Sequence, residues 1–357
     1  MSVIEIDGSS HSGSGTILRV CVALATLLRR PLHVRNIRAA RPKPGLRAQH
    51  LTAVQACCQL TGGELSGGHI GSTEIYYHPG RAPIEGDFAL DVGTAGSATM
   101  LAYTLFVPAL FGSGPCRFRL TGGIFQDFAP SGYHMLHCLV PLLRRMNAKL
   151  ELRIRKPGYV PKGQGLLDLN VVPLSAGLKP LQLVRQGDVL VLKGISLASH
   201  LREQQVARRM SERCWATLAR RGLGADLHLV EDDEAVQKGA ALALWAETSS
   251  GALLGSDMAG RPGRRSETIA DVVTKNLLED LGSGATVDRH MADQLILFGA
   301  LAAGTTEYLI PRSTEHVESN RWVIRKILGA ESRLERNRLV IEGVGFSRRA
   351  RGHASQC

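Results

Sequence analysis

A chain of 357 residues is longer than one ordinary core supports and predicts two domains, or one domain with a large insertion. A hydrophobic content of 44% is that of a soluble globular protein. No run approaches the roughly 20 uninterrupted apolar residues of a membrane span, and "MSVIEIDGSS" lacks the order of a signal peptide, so a cytoplasmic protein, nuclear if eukaryotic, is expected. A net charge of +11, mostly arginine, points to a polyanionic partner such as RNA or a phosphorylated small molecule, and 5% aromatics argue against a surface that stacks many bases.

In chain order, "DGSSHSGSGTILR" sets glycines 8, 13 and 15 ahead of the helical run "TILRVCVALATLLRR". Such a loop suits close backbone approach to phosphate and equally a plain helix N-cap. The strand "PLHVRNI" leads to the loop "RAARPKPGL", with Arg38, Arg41, Lys43 and Arg47 close together and Pro42 and Pro44 as stiffeners, then to the helix "RAQHLTAVQACCQLTGG". These charges read as an anion cradle or as solvated surface. "DVGTAGSATM" is a second glycine-serine turn, opening the helix "SATMLAYTLFVPALF"; the strand "GPCRFRL", the loop "TGGIFQDFAPSG" and the helix "YHMLHCLVPLLRRMN" follow. In that last helix His134, His137 and Cys138 lie in an apolar pattern without a fourth ligand, and the seven cysteines form no C-x-x-C pair, so neither zinc nor a disulfide framework is expected. "KPGYVPKGQG" is a loop with two lysines suited to a phosphate backbone.

Residues 185–276 carry a pattern of their own: the strand "DVLVLKGISL", the amphipathic helix "HLREQQVARRMSERCWATLARRG", and the strands "ADLHLV", "AALALWAE" and "GALLGSDM". Beyond them come the helix "RHMADQLILFGALAAG", the strand "TTEYLI", the loop "PRSTEHVES" and the helix "NRWVIRKILGA". Helix, strand, loop, helix thus appears three times, the first two copies roughly 85 residues apart and the last two roughly 190 apart. The expected organisation is a repeat-bearing domain at 1–184 and 277–345, an inserted α+β domain at 185–276 and a basic disordered tail at 346–357. Around a pseudo-threefold axis the strand-to-helix loops converge, which brings the arginine loop, the Gly-Pro loop at 122–131 and the loop holding His316 to one anion site at helix N-termini.

The stretches "DGSSHSGSGTILR", "IRAARPKPGLRAQHLTA", "GTAGSATML", "GYVPKGQG", "DRHMADQLIL" and "STEHVESN", in this order, resemble the RNA 3'-terminal phosphate cyclases over nearly the whole chain. The resemblance implies an α+β fold of three βαβαββ-type units, each a four-stranded sheet with two helices, plus a smaller inserted domain. It implies ATP and a divalent cation, magnesium or manganese, as cofactors, and an RNA with a 3'-phosphate end as partner. His316 is then the nucleophile that becomes histidyl-AMP, before the adenylate passes to the RNA end and the 2'-hydroxyl closes a 2',3'-cyclic phosphate. Neutral imidazole at pH 7 suits that role. Asp293 is implied as its orienting partner. Arg19, Arg38, Arg41 and Gln49 match phosphate- or RNA-binding positions, and Pro130 and His290 the adenosine pocket. Gly13, Gly15 and Tyr103 are also expected at the nucleotide.

Three departures stand out. Ser12 replaces a family acidic residue that helps hold a divalent ion, Tyr103 replaces a glutamine, and "APSGYH" replaces a run ending in an acid and an aromatic. The metal ligands are therefore left open. A cyclase-like protein that binds RNA or a ribosome-assembly partner without catalysis is the alternative reading, and an enolpyruvyl transferase on related repeats a third.

Overall fold

In the computed structural model, which describes residues 2–347, the chain opens with β1 (Ile4–Asp7), α1 (Gly15–Leu28), β2 (Leu32–Arg35), α2 (Ala48–Thr61), β3 (Glu64–Ser66) and β4 (Ile75–His78). β1 runs parallel to β2, and β2 and β3 both run antiparallel to β4, giving the order β1-β2-β4-β3. There follow β5 (Gly86–Asp91), α3 (Ala98–Leu110), β6 (Cys116–Gly122), α4 (Gly132–His134), a π turn at Met135–Leu139, α5 (Val140–Arg145), β7 (Lys149–Lys156) and β8 (Gly165–Val172), with sheet order β5-β6-β8-β7. Pro141, which lacks an N–H, lies just past the π turn, where a regular ladder would need that donor.

The next stretch holds β9 (Gln182–Leu183), β10 (Val189–Ser199), α6 (Val206–Ala219), β11 (Ala225–Asp232), β12 (Gly239–Thr248), β13 (Leu253–Ala259) and α7 (Ser266–Gly282). The described chain closes with α8 (Met291–Leu301), β14 (Thr305–Leu309), α9 (Glu315–Leu328), β15 (Ser332–Glu335) and β16 (Arg338–Glu342). β9 pairs across the intervening residues with β14, in the order β15-β16-β14-β9, while β10 to β13 form a sheet β11-β10-β12-β13. The fold is therefore mixed α+β, built on four-stranded mixed sheets.

Packing follows from the sequence pattern. β6 and β8 alternate buried and less buried residues, so one sheet face meets helices and the other meets solvent. α3 is buried along its whole length, and α1 and α8 nearly so, which fits apolar runs with little polar face. α1 packs against α2, α3 and α9, placing it at the centre of the larger core. The β10–β13 sheet has a second core, where Met210, Cys214 and Leu218 of α6 meet Leu242, Leu244 and Leu254 of the sheet and Ile269, Val273 and Leu277 of α7.

Three boundaries differ from expectation. α9 begins at Glu315, not near Asn320, because the Thr314 side chain accepts from Val317 N–H and caps a first turn that holds Glu315 and Glu318. The boundary placed at 276 falls inside α7, whose Leu277 belongs to the second core. Phe346, assigned to the tail, stands edge-on to Phe111 with ring centres 5.0 Å apart; residues 348–357 of that expected tail lie outside the described residues.

Candidate active-site cleft

A cleft of about 860 Å³ opens where the N-termini of α1 and α9 approach the arginine loop and the loop at 123–131. It is lined by Gly15, Arg19, Arg38, Arg41, Gln49, Tyr103, Pro130, His290, Asp293 and His316, so the structure brings together every candidate except Gly13.

Gly13 stands behind the lining. Its φ is +49, in the region glycine enters without strain, and a Cβ there would lie 2.6 Å from Ala40 Cβ. The glycine loop is thereby pressed against the arginine loop. At Gly15 a Cβ would lie 2.1 Å from Nε2 of buried His50, so the start of α1 and the first turn of α2 meet without space for a side chain. Within the arginine loop, Nη1 of Arg38 donates to the carbonyls of Lys43 (2.7 Å) and Gly45 (2.8 Å). That guanidinium shapes its own loop. Arg41 is exposed and projects into the cleft with no recorded side-chain bond among the described residues. Burial lowers the Arg19 pKa to about 10, still well above neutrality, so it remains a cation. Gln49 Oε1 accepts from Ser97 N–H at 2.8 Å, which ties α2 to the N-cap of α3.

His316 is the second residue of α9. Burial first, and then the neighbouring positive charges of Arg19 and Arg41, push its pKa below the usual value, so the ring is neutral at pH 7. Its Nδ1 lies 3.5 Å from Ser14 Oγ, and its Nε2 has no protein partner among the described residues. Asp293 does not orient this ring by a direct bond. Its carboxylate meets Asn320 Nδ2 at 3.3 Å, and Asn320 also donates to the Asp293 carbonyl at 3.0 Å. Burial raises the Asp293 pKa to about 7 despite the opposing charge of Arg19.

The adenosine-pocket candidates differ in what they leave free. The hydroxyl of buried Tyr103 donates to the Gln294 carbonyl at 2.8 Å, and the Pro130 carbonyl accepts from Thr99 Oγ1 at 2.9 Å. His290 is half-buried, with burial lowering its pKa. Three further cleft residues, Gln126, Gln294 and Asn320, each bury a side-chain carboxamide oxygen without a hydrogen-bond partner among the described residues, leaving acceptors in want of donors.

Sequence reading missed the wall contributed by the second core. Asp257, Met258, Arg261 and Arg264 line the cleft, and Arg264 grips Asp127 with two bonds of 2.8 Å. A fork-to-fork pair between residues 137 apart leaves no local pattern. Phe128 was missed as well: it lines the cleft, is fully exposed, and has φ +66, a strained value for an aromatic residue.

Carboxylates free for a metal are few. Ser12 is buried and bonded to Ser14 and Ser319, and the ring of His11 lies 5.5 Å from that of Trp322. Asp127 is held by Arg264 and Asp293 by Asn320, while Asp257 accepts from Ser131 N–H through Oδ2 and has no partner at Oδ1 among the described residues. His134 and Cys138 converge with Asp288, whereas His137 stacks on Trp245 at 4.0 Å. Both Asp288 oxygens there already accept: Oδ2 from Gly255 N–H and His134 Nε2, Oδ1 from the N–H groups of His290 and Met291. This donor set is filled by protons rather than shaped for an ion.

The cleft thus sets a neutral imidazole beside the arginine donors of Arg19 and Arg41, near the N-termini of α1 and α9, a combination suited to phosphate groups. The sequence matches the family model described as RNA 3'-terminal phosphate cyclase over residues 10–334, and the chain belongs to that family. Relatives carrying the name RNA 3'-terminal phosphate cyclase include that of Archaeoglobus fulgidus, 36% identical over 95% of this chain and 100% of its own. That of Pyrobaculum aerophilum is 34% identical over 97% of this chain and 99% of its own, and that of Ignicoccus hospitalis 37% over 91% and 93%. Among solved structures, the enolpyruvyl transferase NikO from Streptomyces tendae aligns over 97% of this chain and 49% of its own at 14% identity, with a TM-score of only 0.40.

Proposed function

We propose that this protein converts an RNA 3'-phosphate to a 2',3'-cyclic phosphate at the expense of ATP, with His316 as the nucleophile. Nε2 of His316 attacks the α-phosphorus; the new N–P bond forms as the bond to the β-phosphate oxygen breaks and pyrophosphate leaves. An oxygen of the RNA 3'-phosphate then attacks the same phosphorus and frees the ring. The neighbouring 2'-hydroxyl attacks the 3'-phosphorus and expels AMP.

The observation that carries this reading is the neutral ring, with Nε2 unengaged by protein, in a cleft that also holds Arg19 and Arg41. Arginines there offset charge that grows on the transferring phosphoryl group. The unpartnered oxygens of Gln126, Gln294 and Asn320 fit the N–H groups of a nucleobase or the water shell of a divalent ion. Asp257, whose Oδ2 accepts from Ser131 N–H, is the carboxylate that would hold such an ion through Oδ1, and the ion would supply neutralising charge for the phosphates. The like order of three of the sheets supports reading them as copies of one βαβαββ unit, with the segment centred on β10–β13 inserted into the third.

The test is incubation with α-labelled ATP and manganese or magnesium. An acid-labile, alkali-stable adduct is expected on the native chain and absent from His316→Ala, together with a cyclised end on a 3'-phosphorylated oligonucleotide. A folded protein that binds the oligonucleotide yet forms neither product supports the binding-only alternative.

A further inference from the structure

Phe128 is the most exposed large apolar side chain among the described residues, and the only apolar residue other than glycine with a positive φ among them. Both features cost free energy: a phenyl ring left in water forgoes burial, and a residue with a side chain is strained in the left-handed region. A mobile loop would shed that strain. This one is fastened on either side of the ring. Before it, Asp127 is gripped by Arg264 with two bonds of 2.8 Å; after it, the Pro130 carbonyl accepts from Thr99 Oγ1 at 2.9 Å and Ser131 N–H donates to Asp257 Oδ2 at 2.7 Å. The ring is thus held out at the rim of the cleft, open to solvent.

Next to Asp127 stands a cation in excess. Asp127 Oδ2 lies 3.8 Å from Nη1 of Arg261, beyond hydrogen-bond reach, while both of its oxygens already accept from Arg264. One carboxylate therefore faces two guanidinium groups, and Arg261, exposed and lining the cleft, keeps its donors for another partner. An aromatic face close to an unneutralised arginine is the pairing that grips single-stranded nucleic acid, with a base on the ring and a phosphate on the guanidinium. Depth decides which nucleotide is met. His316 is half-buried, so the phosphate that reacts there, and the 3'-terminal nucleotide bearing it, lie inside the cleft. A cleft of about 860 Å³ takes a free nucleotide whole, whereas a polynucleotide has to run out over the rim.

We infer that Phe128 and Arg261 form an exit clamp for the RNA strand: the ring stacks on the base of a nucleotide upstream of the 3'-terminal one, and Arg261 holds a backbone phosphate. The identity of the occupant rests on the reading of the cleft as a site for RNA 3' ends. Both are binding residues outside the chemistry. Stacking reads no hydrogen-bonding edge of a base, so the clamp accepts any sequence and discriminates by the presence of a strand.

The test is binding of a 3'-phosphorylated oligonucleotide to the full chain without ATP, with 2-aminopurine placed in turn at each of the three positions before the terminal nucleotide. Stacking quenches its fluorescence. The native chain is expected to quench at one of these positions and Phe128→Tyr to keep the signal. Phe128→Leu, which stays apolar but has no ring face, should lose it and bind the oligonucleotide roughly 5–150-fold more weakly. Arg261→Gln should lower the slope of log affinity against log salt by about 0.7, the share of one phosphate contact. The inference is overturned by a native chain that quenches at none of the positions, by an unchanged salt slope, or by an equal weakening of ATP or of a nucleoside 3'-phosphate in Phe128→Leu. A chain that quenches yet forms no cyclised end sinks the cyclase reading and leaves the clamp standing; cyclisation without quenching does the reverse.

Discussion

Asn320 Nδ2 donates to both the carbonyl (3.0 Å) and the carboxylate (3.3 Å) of Asp293, fastening α8 to α9 one helical turn beyond His316. The carboxyl group takes part in this contact while buried, which raises its pKa to about 7. The unfolded chain ionises near the ordinary value of 3.8, so the folded state binds the extra proton between that pH and about 7, and stability falls as pH rises through this window. Asp293→Asn removes the penalty. With about 1.4 kcal/mol for each tenfold change in proton affinity, the variant should gain a few kcal/mol over the native chain at pH 8 and nothing at pH 3.5. Thermal unfolding at the two pH values checks this; a gain of equal size at both would contradict it.

Arg38 and Arg41 should separate loop shape from substrate contact. Arg41→Ala removes a cation with no side-chain partner among the described residues and should leave unfolding within about 0.5 kcal/mol of native. It should raise the KM for a 3'-phosphorylated oligonucleotide roughly 10–100-fold, the worth of one charge-assisted bond. Arg38→Ala breaks the bonds to Lys43 and Gly45 and should lower stability by about 1–3 kcal/mol as well as activity. Denaturant melts beside initial rates distinguish the two.

The buried pair of His134 and Asp288 makes a pH prediction of opposite origin. Burial alone would lower the His134 pKa, but the Asp288 carboxylate 2.9 Å away overrides it and lifts it to about 9. Folded affinity for the proton exceeds unfolded affinity, so the contribution is complete below pH 6.5 and is lost as pH rises through about 9. The urea midpoint should fall between pH 6 and pH 9.5. His134→Gln should flatten that slope and cost about 3–5 kcal/mol at pH 6 by leaving Asp288 unpaired.

Gly15→Ala should destabilise by about 1–3 kcal/mol, because the added methyl meets His50 Nε2. Combining it with His50→Ala, which clears that space, should lose less than the sum of the single changes. Strict additivity in a double-mutant cycle would show that the two residues do not share a contact.

Helix bodies and the strands of the second core were legible because apolar periodicity reports burial directly, as in α1, α3 and β12. The first turn of α9 was not: Glu315, Glu318 and Ser319 are polar, and the helix is extended backward by the Thr314 cap rather than by an apolar stripe. The resemblance gathered His316, Arg19 and Arg41 at one place without telling how each side chain is engaged. Asp293 turning to Asn320, Tyr103 spending its hydroxyl on Gln294, and Arg264 reaching Asp127 are choices made by three-dimensional neighbours. None leaves a mark in residue spacing.

The clasp of Arg264 on Asp127 also joins two bodies that fold around separate cores. One bank of the cleft is rooted in each, so its aperture belongs to neither alone. A substitution deep beneath β12 or α7, remote from the cleft, can tilt its bank and retune what the cleft admits while every residue at its centre keeps its identity.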